Sequence, residues 1–185
     1  MRKPALLITA CVLLLMTACS TPQPQPAATT APAKEAAPAA QVHGTLLQVM
    51  RGVVFPNSNV IFAVQGNDPT KMKPAKDPAT STDPLLSTYG GWTAVENSGI
   101  ALAESANLLI VPGRKCSNGK DMPLNNPDWP QLVQGLRDAG MKVYQAGQSK
   151  NDDKVLEAAD AMTTACANCH DKYRDKPGGD AERCM

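Results

Sequence analysis

Two cysteines and a histidine stand close together near the end of the chain. Cys166 and Cys169 are separated by two residues, and His170 follows directly, which gives the pattern C-x-x-C-H. If this stretch is helical, the two thiols lie on one face and can reach the vinyl groups at one edge of a haem, while the imidazole can coordinate the iron. The motif therefore predicts one covalently attached haem c, held by these three side chains.

Three other kinds of site use some of the same residues. A redox-active C-x-x-C pair normally stands at the start of a helix, where the helix dipole lowers a thiol pKa, whereas this motif comes late in a predicted helix. A zinc site would need the adjacent Cys169 and His170 to share one ion with Cys184. A disulfide between Cys166 and Cys169 leaves the histidine without a role. The motif favours haem over these alternatives.

The N-terminus has the composition of an export signal. Arg2 and Lys3 precede an apolar run from Ala5 to Met16, which is too short to span a bilayer as a helix. Small residues and then Cys19 follow, and this ending resembles a bacterial lipoprotein signal, which is cut before a cysteine that then carries the lipid. We therefore predict a signal peptide at residues 1–18 and a lipid anchor on Cys19. A plain secretory peptide with an incidental cysteine is the alternative.

A stretch rich in proline and alanine follows the predicted lipid site. Residues 20–40 contain no large apolar side chain, so they cannot bury a core and are expected to form an extended tether. At roughly 3.1 Å per residue, this tether would reach on the order of 60 Å. The chain is thus divided into a signal peptide, a tether at 19–40 and one folded cytochrome c domain at 41–185.

Export also assigns the remaining cysteines. Of the six cysteines in the chain, Cys11 would be removed with the signal peptide, and Cys116 and Cys184 belong neither to the lipid site nor to the haem motif. An exported protein enters an oxidising compartment, where an even remainder favours a disulfide. We predict a Cys116–Cys184 bond, which the chain-entropy model values at roughly 4 kcal/mol. Two free or intermolecular thiols are the alternative.

Charge and side-chain chemistry narrow the function classes. The formal charge is +1, and removing residues 1–18, which include Arg2 and Lys3, leaves 16 basic residues against 17 acidic ones. A nearly neutral chain without a basic cluster has no electrostatic basis for binding nucleic acid. Its two histidines and scattered carboxylates form no recognisable catalytic set. We therefore expect neither a nucleic-acid-binding protein nor an enzyme.

Four segments of the folded domain have the apolar periodicity of helices. The predicted helices begin near Leu46, Pro84, Asp128 and Asn151 or Asp152. Phe55-Pro56 should end or kink the first helix, and the second should continue to Ile110. No segment has a convincing strand pattern. Four amphipathic helices bury their apolar faces most simply as a bundle, so we predict an all-α fold.

The end of the last predicted helix is similar to one protein family. Residues 166–174 read Cys-Ala-Asn-Cys-His-Asp-Lys-Tyr-Arg, which resembles the C-x-x-C-H-x-x-Y-R ending of the class II cytochromes c, the cytochrome c prime family. Leu46–Arg51 looks like the first helix of that family, and the resemblance covers about residues 41–176. It implies a four-helix antiparallel bundle with the haem attached near the C-terminal end of the last helix.

The resemblance also implies roles for individual residues. His170 would be the proximal ligand of the iron, and Met50, which matches the methionine of low-spin members, would be the sixth ligand. The alternatives are a core methionine with a vacant sixth site and ligation by His43, which we expect on the same helix face. Arg51 would pair with a haem propionate, because a guanidinium binds a carboxylate bidentately; a solvated surface arginine is the alternative.

The function implied by the resemblance is one-electron transfer in the bacterial cell envelope. A methionine opposite a histidine favours reversible cycling of the iron at a raised potential. The expected setting is the periplasmic side of a membrane, with the outer membrane favoured, where redox proteins of the envelope would be the partners. A high-spin member would instead bind a gas such as NO or CO, and a subunit of a larger redox enzyme is a third alternative. The resemblance is compatible with a homodimer.

Overall fold

The computed structural model describes residues 40–81 and 84–184. The predicted signal peptide, the lipid site at Cys19 and all but the last residue of the tether lie outside this part. The described residues form helices and connecting loops, and their one strand-like feature is an isolated bridge between Lys115 and Asp121. Within them, no helix is long and apolar enough to cross a membrane. The predicted all-α class is confirmed at this level.

The α-helices of the described part differ widely in length. They are α1 Leu46–Val49, α2 Phe55–Ala63, α3 Pro84–Tyr89, α4 Gly91–Ser105, α5 Trp129–Ser149 and α6 Asp152–Tyr173. A π-helical turn at Met50–Val54 joins α1 to α2 without a break, so residues 46–63 form one continuous helical segment. Short 3₁₀ turns occupy Pro69–Lys71, Pro78–Thr80, Ala106–Ile110 and Gly179–Ala181.

The first helical segment continues through Phe55-Pro56, so the predicted helix end at that point is wrong; the alternative of a kink stays a prediction. A proline inside a helix lacks an N–H and its ring crowds the carbonyl one turn back. Here the π turn lies directly before Pro56, and the Phe55 N–H donates to the Met50 carbonyl five residues earlier. The wider turn gives the chain a different hydrogen-bond spacing at the proline, which explains why the helix continues.

The helix predicted from Pro84 to Ile110 is divided in the structure. It breaks between α3 and α4 at Gly90, whose φ of 78° is open to glycine but strained for other residues. At Gly91 a Cβ atom would clash with the backbone of Pro69. The α-helix then tightens into a 3₁₀ turn after Ser105. The chain therefore needs two consecutive glycines here, one for its conformation and one for a close approach.

Helices α4 and α5 pack with their backbones in near contact. A Cβ atom on Gly99 would lie 2.5 Å from the Tyr144 backbone nitrogen, and one on Gly140 would lie 2.5 Å from the Ala103 backbone nitrogen. Because Gly99 and Gly140 have no side chains, the backbones of α4 and α5 can approach each other closely. Val95, Leu102 and Val143 are completely or almost completely buried around this crossing. The crossing is therefore a closely packed part of the core.

Helix α6 packs against α5 and α2. It begins at a capped N-terminus, where the Asn151 side chain accepts a hydrogen bond of 2.9 Å from the Lys154 N–H. Its buried stripe consists of Val155, Ala158, Ala159 and Met162. Asp128 stands at the predicted cap position of α5, but its side chain makes no capping bond to that helix. Instead it faces the last turn of α6.

The loop 114–127 and the C-terminal tail are joined covalently. Cys116 and Cys184 form a disulfide with their Cα atoms 4.8 Å apart, as the sequence analysis pairs them. The tail also turns back on α6, because the Cys184 N–H donates to the Tyr173 carbonyl over 2.8 Å. Lys120 Nζ donates to the Ala181 carbonyl over 2.6 Å. The tail is thus held both to the end of α6 and to the loop before α5.

Candidate functional site

A cavity of about 520 Å³ lies between the first helical segment, α5 and the C-terminal part of α6. This volume falls within the range of roughly 300–1,000 Å³ that is typical of small-molecule and cofactor sites. Most of its wall is apolar, and the apolar and aromatic residues that line it are Leu47, Val54, Phe55, Phe62, Leu109, Trp129, Leu132, Val133, Leu136, Ala165 and Ala167.

The residues predicted for the site line this one cavity. Cys166, Cys169 and His170 come from the last two turns of α6, and Met50 and Arg51 come from the π turn about 120 residues earlier in the chain. Both thiols are free. The spacing of the motif explains the first group, because residues three and four apart share one face of a helix. The second group is brought to the same place by the packing of the fold.

His43 takes no part in the cavity wall formed by the described residues. The Thr45 side chain accepts a bond from the Gln48 N–H, while the Gln48 side chain accepts one from the Thr45 N–H. This reciprocal capping starts the helix at Leu46. His43 consequently precedes the helix and is exposed. The expectation that it shares a helix face with Met50 is wrong.

Burial keeps the donor atoms of the motif uncharged. It raises the pKa of the Cys166 thiol, and it raises the pKa of Cys169 to about 11, with smaller contributions from Cys166 and Asp128. Burial also lowers the pKa of His170, and the positive charge of Arg174 acts in the same direction. At neutral pH the cavity therefore presents two thiols and a neutral imidazole, the form in which a ring nitrogen can bind a metal.

The two arginines on the cavity wall have different surroundings. Arg51 is exposed on the π turn. Arg174, one turn beyond His170, makes two hydrogen bonds of 2.7 and 2.8 Å to the neighbouring Asp175 carboxylate. Because the Arg174 guanidinium is already paired with a carboxylate, Arg51 is the positive group on the cavity wall that suits a ligand carrying a carboxylate.

A polar cluster closes the end of α6 against the start of α5. The Tyr173 hydroxyl donates to Asp128 Oδ1 over 2.8 Å and accepts from Asn126 Nδ2 over 3.1 Å. Lys172 Nζ lies 2.6 Å from the other Asp128 oxygen. The Tyr173 ring meets Trp129 edge to face, with the ring centroids 5.0 Å apart. These contacts fix the last turn of α6, which carries His170.

The sequence gives no signal for several of these contacts. Trp129 is fully buried in the cavity wall and donates from Nε1 to the Leu109 carbonyl over 2.9 Å. Tyr173 and Asp128 are 45 residues apart in the chain. A single sequence contains no periodicity that pairs such distant residues. These contacts result from tertiary packing alone.

The donor set fits a covalently held haem. Two thiols one helical turn apart match the attachment to one edge of the ring, an imidazole beside them matches an axial ligand, and the apolar wall matches the faces of a porphyrin. The exposed Arg51 would provide positive charge for a propionate. Comparisons with protein-family models, with curated proteins and with solved structures find no match to this chain.

Proposed function

We propose that this chain is a c-type cytochrome that carries one haem c and transfers single electrons in the bacterial cell envelope. One observation carries the proposal. The C-x-x-C-H side chains Cys166, Cys169 and His170 line the same apolar cavity as Met50, which comes from a different helix. A cavity with two thiols, an imidazole and a thioether on its wall has the complete set of side chains for attaching and ligating a haem.

Covalent attachment uses the two thiols. Each thiol would add across one vinyl double bond of the haem, with the sulfur on the vinyl carbon next to the ring and the proton on the outer carbon. Such an addition has no leaving group and would need no oxidant. Because the thiols of Cys166 and Cys169 stand one helical turn apart on α6, both additions can hold the same edge of the ring.

His170 and Met50 would be the two protein ligands of the iron. The bound haem supplies reversible one-electron chemistry at its iron. The imidazole of His170 is held by the last turn of α6, and the Met50 thioether is presented from the π turn. A thioether ligand together with an imidazole would raise the reduction potential, because a thioether stabilises the reduced metal. Arg51, which is exposed and lines the cavity, would pair with a propionate.

The helices are consistent with the four-helix antiparallel bundle of the class II cytochromes c. The proposed bundle consists of the segment 46–63, α4, α5 and α6, with α3 as a short addition. Helix α5 packs against α4 and α6, and α2 packs against α4 and α6. This pairing is what a ring of four helices requires.

The setting is proposed from the N-terminal sequence. A lipid on Cys19 and the tether at 19–40 would hold the domain on the periplasmic side of a membrane, with the outer membrane favoured. A lipoprotein carries two or three acyl chains, and more than one chain suffices for stable anchoring. The electron donor and acceptor would then be redox proteins of the envelope.

Pigment attachment is the first test. The chain is purified from a host with a cytochrome c maturation system, denatured and extracted with acidified acetone, which removes haem that is not covalently bound. We expect the colour to stay with the polypeptide. A colourless polypeptide would contradict the proposal.

The sixth ligand is the second test. Methionine ligation of ferric haem produces a weak far-red absorption band. Met50→Leu should abolish this band and leave the pigment covalently bound. Met162→Leu is the matched control, because Met162 lies in α6, is fully buried and is not among the residues that line the cavity. A wild-type protein with high-spin absorption, and with carbon monoxide binding in the reduced state, would favour the gas-binding alternative.

A further inference from the structure

We propose that Arg114 is a positioning residue for Met50. It holds the start of the first helical segment. This attachment fixes how the segment is rotated about its axis, so that Met50 faces the cavity. This inference rests on the proposed function, since it explains how the sixth ligand is kept in place. Arg114 belongs neither to the cavity wall nor to the C-x-x-C-H motif.

Arg114 is a buried cation that binds two separate pieces of backbone. Only 5% of its surface is exposed. Its Nη1 donates to the Gly44 carbonyl over 2.6 Å, and its Nε donates to the Leu108 carbonyl over 3.0 Å. Neither acceptor is a carboxylate. Hydrogen bonds from a charged donor are stronger than those between neutral groups, so the guanidinium acts as a clamp between residues that are 64 positions apart.

The clamp acts where the chain enters its first helix. Gly44 directly precedes the helix cap at Thr45, and the next residue, Leu46, donates its N–H to the Lys115 carbonyl over 2.8 Å. The two consecutive residues Arg114 and Lys115 thus hold two points of the helix start. Their loop is itself held to the tail by the Cys116–Cys184 disulfide. The helix start is therefore tied through this loop to the C-terminal tail and the end of α6.

The π turn makes the attachment of the helix start important for the orientation of Met50. Met50 is the first residue of the π turn, which ends at Val54. A π turn contains one more residue than an α turn, so its relaxation to α geometry would shift everything before it by one position, which is about 100° around the helix axis. Val60 and Ile61 are buried in the core and fix the segment beyond the turn. At the other end, the hydrogen bonds of Gly44 and Leu46 oppose the rotation together with the buried Leu46 side chain.

The shape of the guanidinium suits this task. Its donors form a rigid planar fork that can serve two acceptors in different directions, whereas a lysine ammonium is a compact charge on a flexible stem. The second acceptor, Leu108, precedes Leu109, which lines the cavity and accepts a hydrogen bond from Trp129. Arg114 consequently links the helix start to the cavity wall. Substitution by lysine should keep the charge but lose one of the two links.

The test compares Arg114→Gln and Arg114→Lys with the wild type in the mature, haem-loaded chain. We expect the far-red band of methionine-ligated ferric haem to be lost in Arg114→Gln and to be weakened in Arg114→Lys. The absorption of the protein should become high-spin. The haem content after acid–acetone extraction should stay at one per chain, because Cys166 and Cys169 are untouched. Lower stability alone would not produce this combination of results.

Val143→Ala is the matched control. Val143 is buried in α5 at the crossing with α4, away from the helix start, so its truncation should lower stability while the band remains. Retention of the full band in Arg114→Gln would overturn the proposal, and so would a wild-type protein that has covalent haem but no band. If neither Arg114 variant folds with haem, the residue is needed for the whole fold, and a specific positioning role is rejected. A wild-type chain without covalent pigment would instead contradict the proposed function itself.

Discussion

Helix α5 contributes to two regions with opposite kinds of packing. Its first two turns, from Trp129 to Leu136, face the cavity of about 520 Å³. Its later turns approach α4 so closely that Gly140 and Gly147 have no room for a Cβ atom. One helix therefore borders both a large cavity and a closely packed crossing.

The two regions are stabilised in different ways. At the crossing of α4 and α5, many weak contacts between well-packed atoms supply the stability. At the cavity such contacts are missing on one side, and directed bonds join segments next to its wall. These bonds are the Cys116–Cys184 disulfide, the two hydrogen bonds of Arg114 and the Tyr173–Asp128 cluster. The comparison indicates that the cavity end of the domain depends more on specific attachments than the crossing does.

The largest effect is expected from the double substitution Cys166→Ala and Cys169→Ala. Both thioether bonds are then impossible, so covalent pigment should fall from one haem per chain to none. The cavity and its other residues remain, and the helical circular dichroism should change little. Extraction with acidified acetone measures the retained pigment. The double substitution Cys116→Ala and Cys184→Ala is the control and should keep its pigment, since these residues serve the fold only. Pigment that survives on the first variant would contradict the assigned attachment.

The variant with Cys116→Ala and Cys184→Ala also tests how the disulfide stabilises the region around the cavity. The disulfide closes a loop of 68 residues, and the chain-entropy model values such a bond at roughly 4 kcal/mol. We expect its removal to lower the free energy of unfolding by about that amount in a denaturant titration. Amide hydrogen exchange should rise more in the first turns of α5 than at the crossing. Equal increases in both regions would show that the disulfide does not stabilise the cavity end specifically.

The closely packed region is tested by Gly140→Ala. The new methyl group would lie 2.5 Å from the Ala103 backbone nitrogen, so the helices must separate, and overpacking of this kind typically costs about 1–3 kcal/mol. Gly135→Ala is the control on the same helix. A Cβ atom at position 135 meets nothing within 4 Å, and replacing a helical glycine there should stabilise by about 0.5–1 kcal/mol. Thermal unfolding that fails to separate the two variants would exclude the steric role of Gly140.

Local features of the sequence predict much of this fold. The helical spacing of apolar residues and the caps predict where α5 and α6 begin, and the C-x-x-C-H pattern predicts that Cys166, Cys169 and His170 act together. Local features do not predict where the first two predicted helices continue or break. The first helix continues through Pro56 because of a π turn, and the second breaks at Gly90. Both depend on the neighbouring packing, which local propensity does not contain.

Long-range contacts are the other part that the sequence does not supply. The shared cavity of Met50 and His170 was predicted through a family resemblance, and the periodicity of either helix does not contain it. The sequence does not single out Arg114 as a buried residue, because a single arginine in a loop is usually a solvated surface residue. Its burial and its two carbonyl acceptors follow from where the segment 108–114 meets the start of the first helix, 70 positions before Arg114. Positioning residues of this kind become visible only in the structure.

The smallest effect is expected from Tyr173→Phe, which removes one hydroxyl from the cluster at the end of α6. The hydroxyl bonds to Asp128 and Asn126 are lost, while the edge-to-face contact with Trp129 is retained by the phenylalanine ring. A hydrogen bond of this kind contributes about 1 kcal/mol, and a denaturant titration should show a loss of that size.

Tyr144→Phe is the matched control for this last substitution. Tyr144 belongs to α5 at the closely packed crossing, and its hydroxyl accepts only an exposed bond from Gln148 within the same helix. A surface change of this type should alter stability by less than about 0.5 kcal/mol. If the region around the cavity depends on directed bonds, Tyr173→Phe must cost more than Tyr144→Phe. Equal effects would mean that the cluster at the end of α6 adds nothing beyond the packing of its rings.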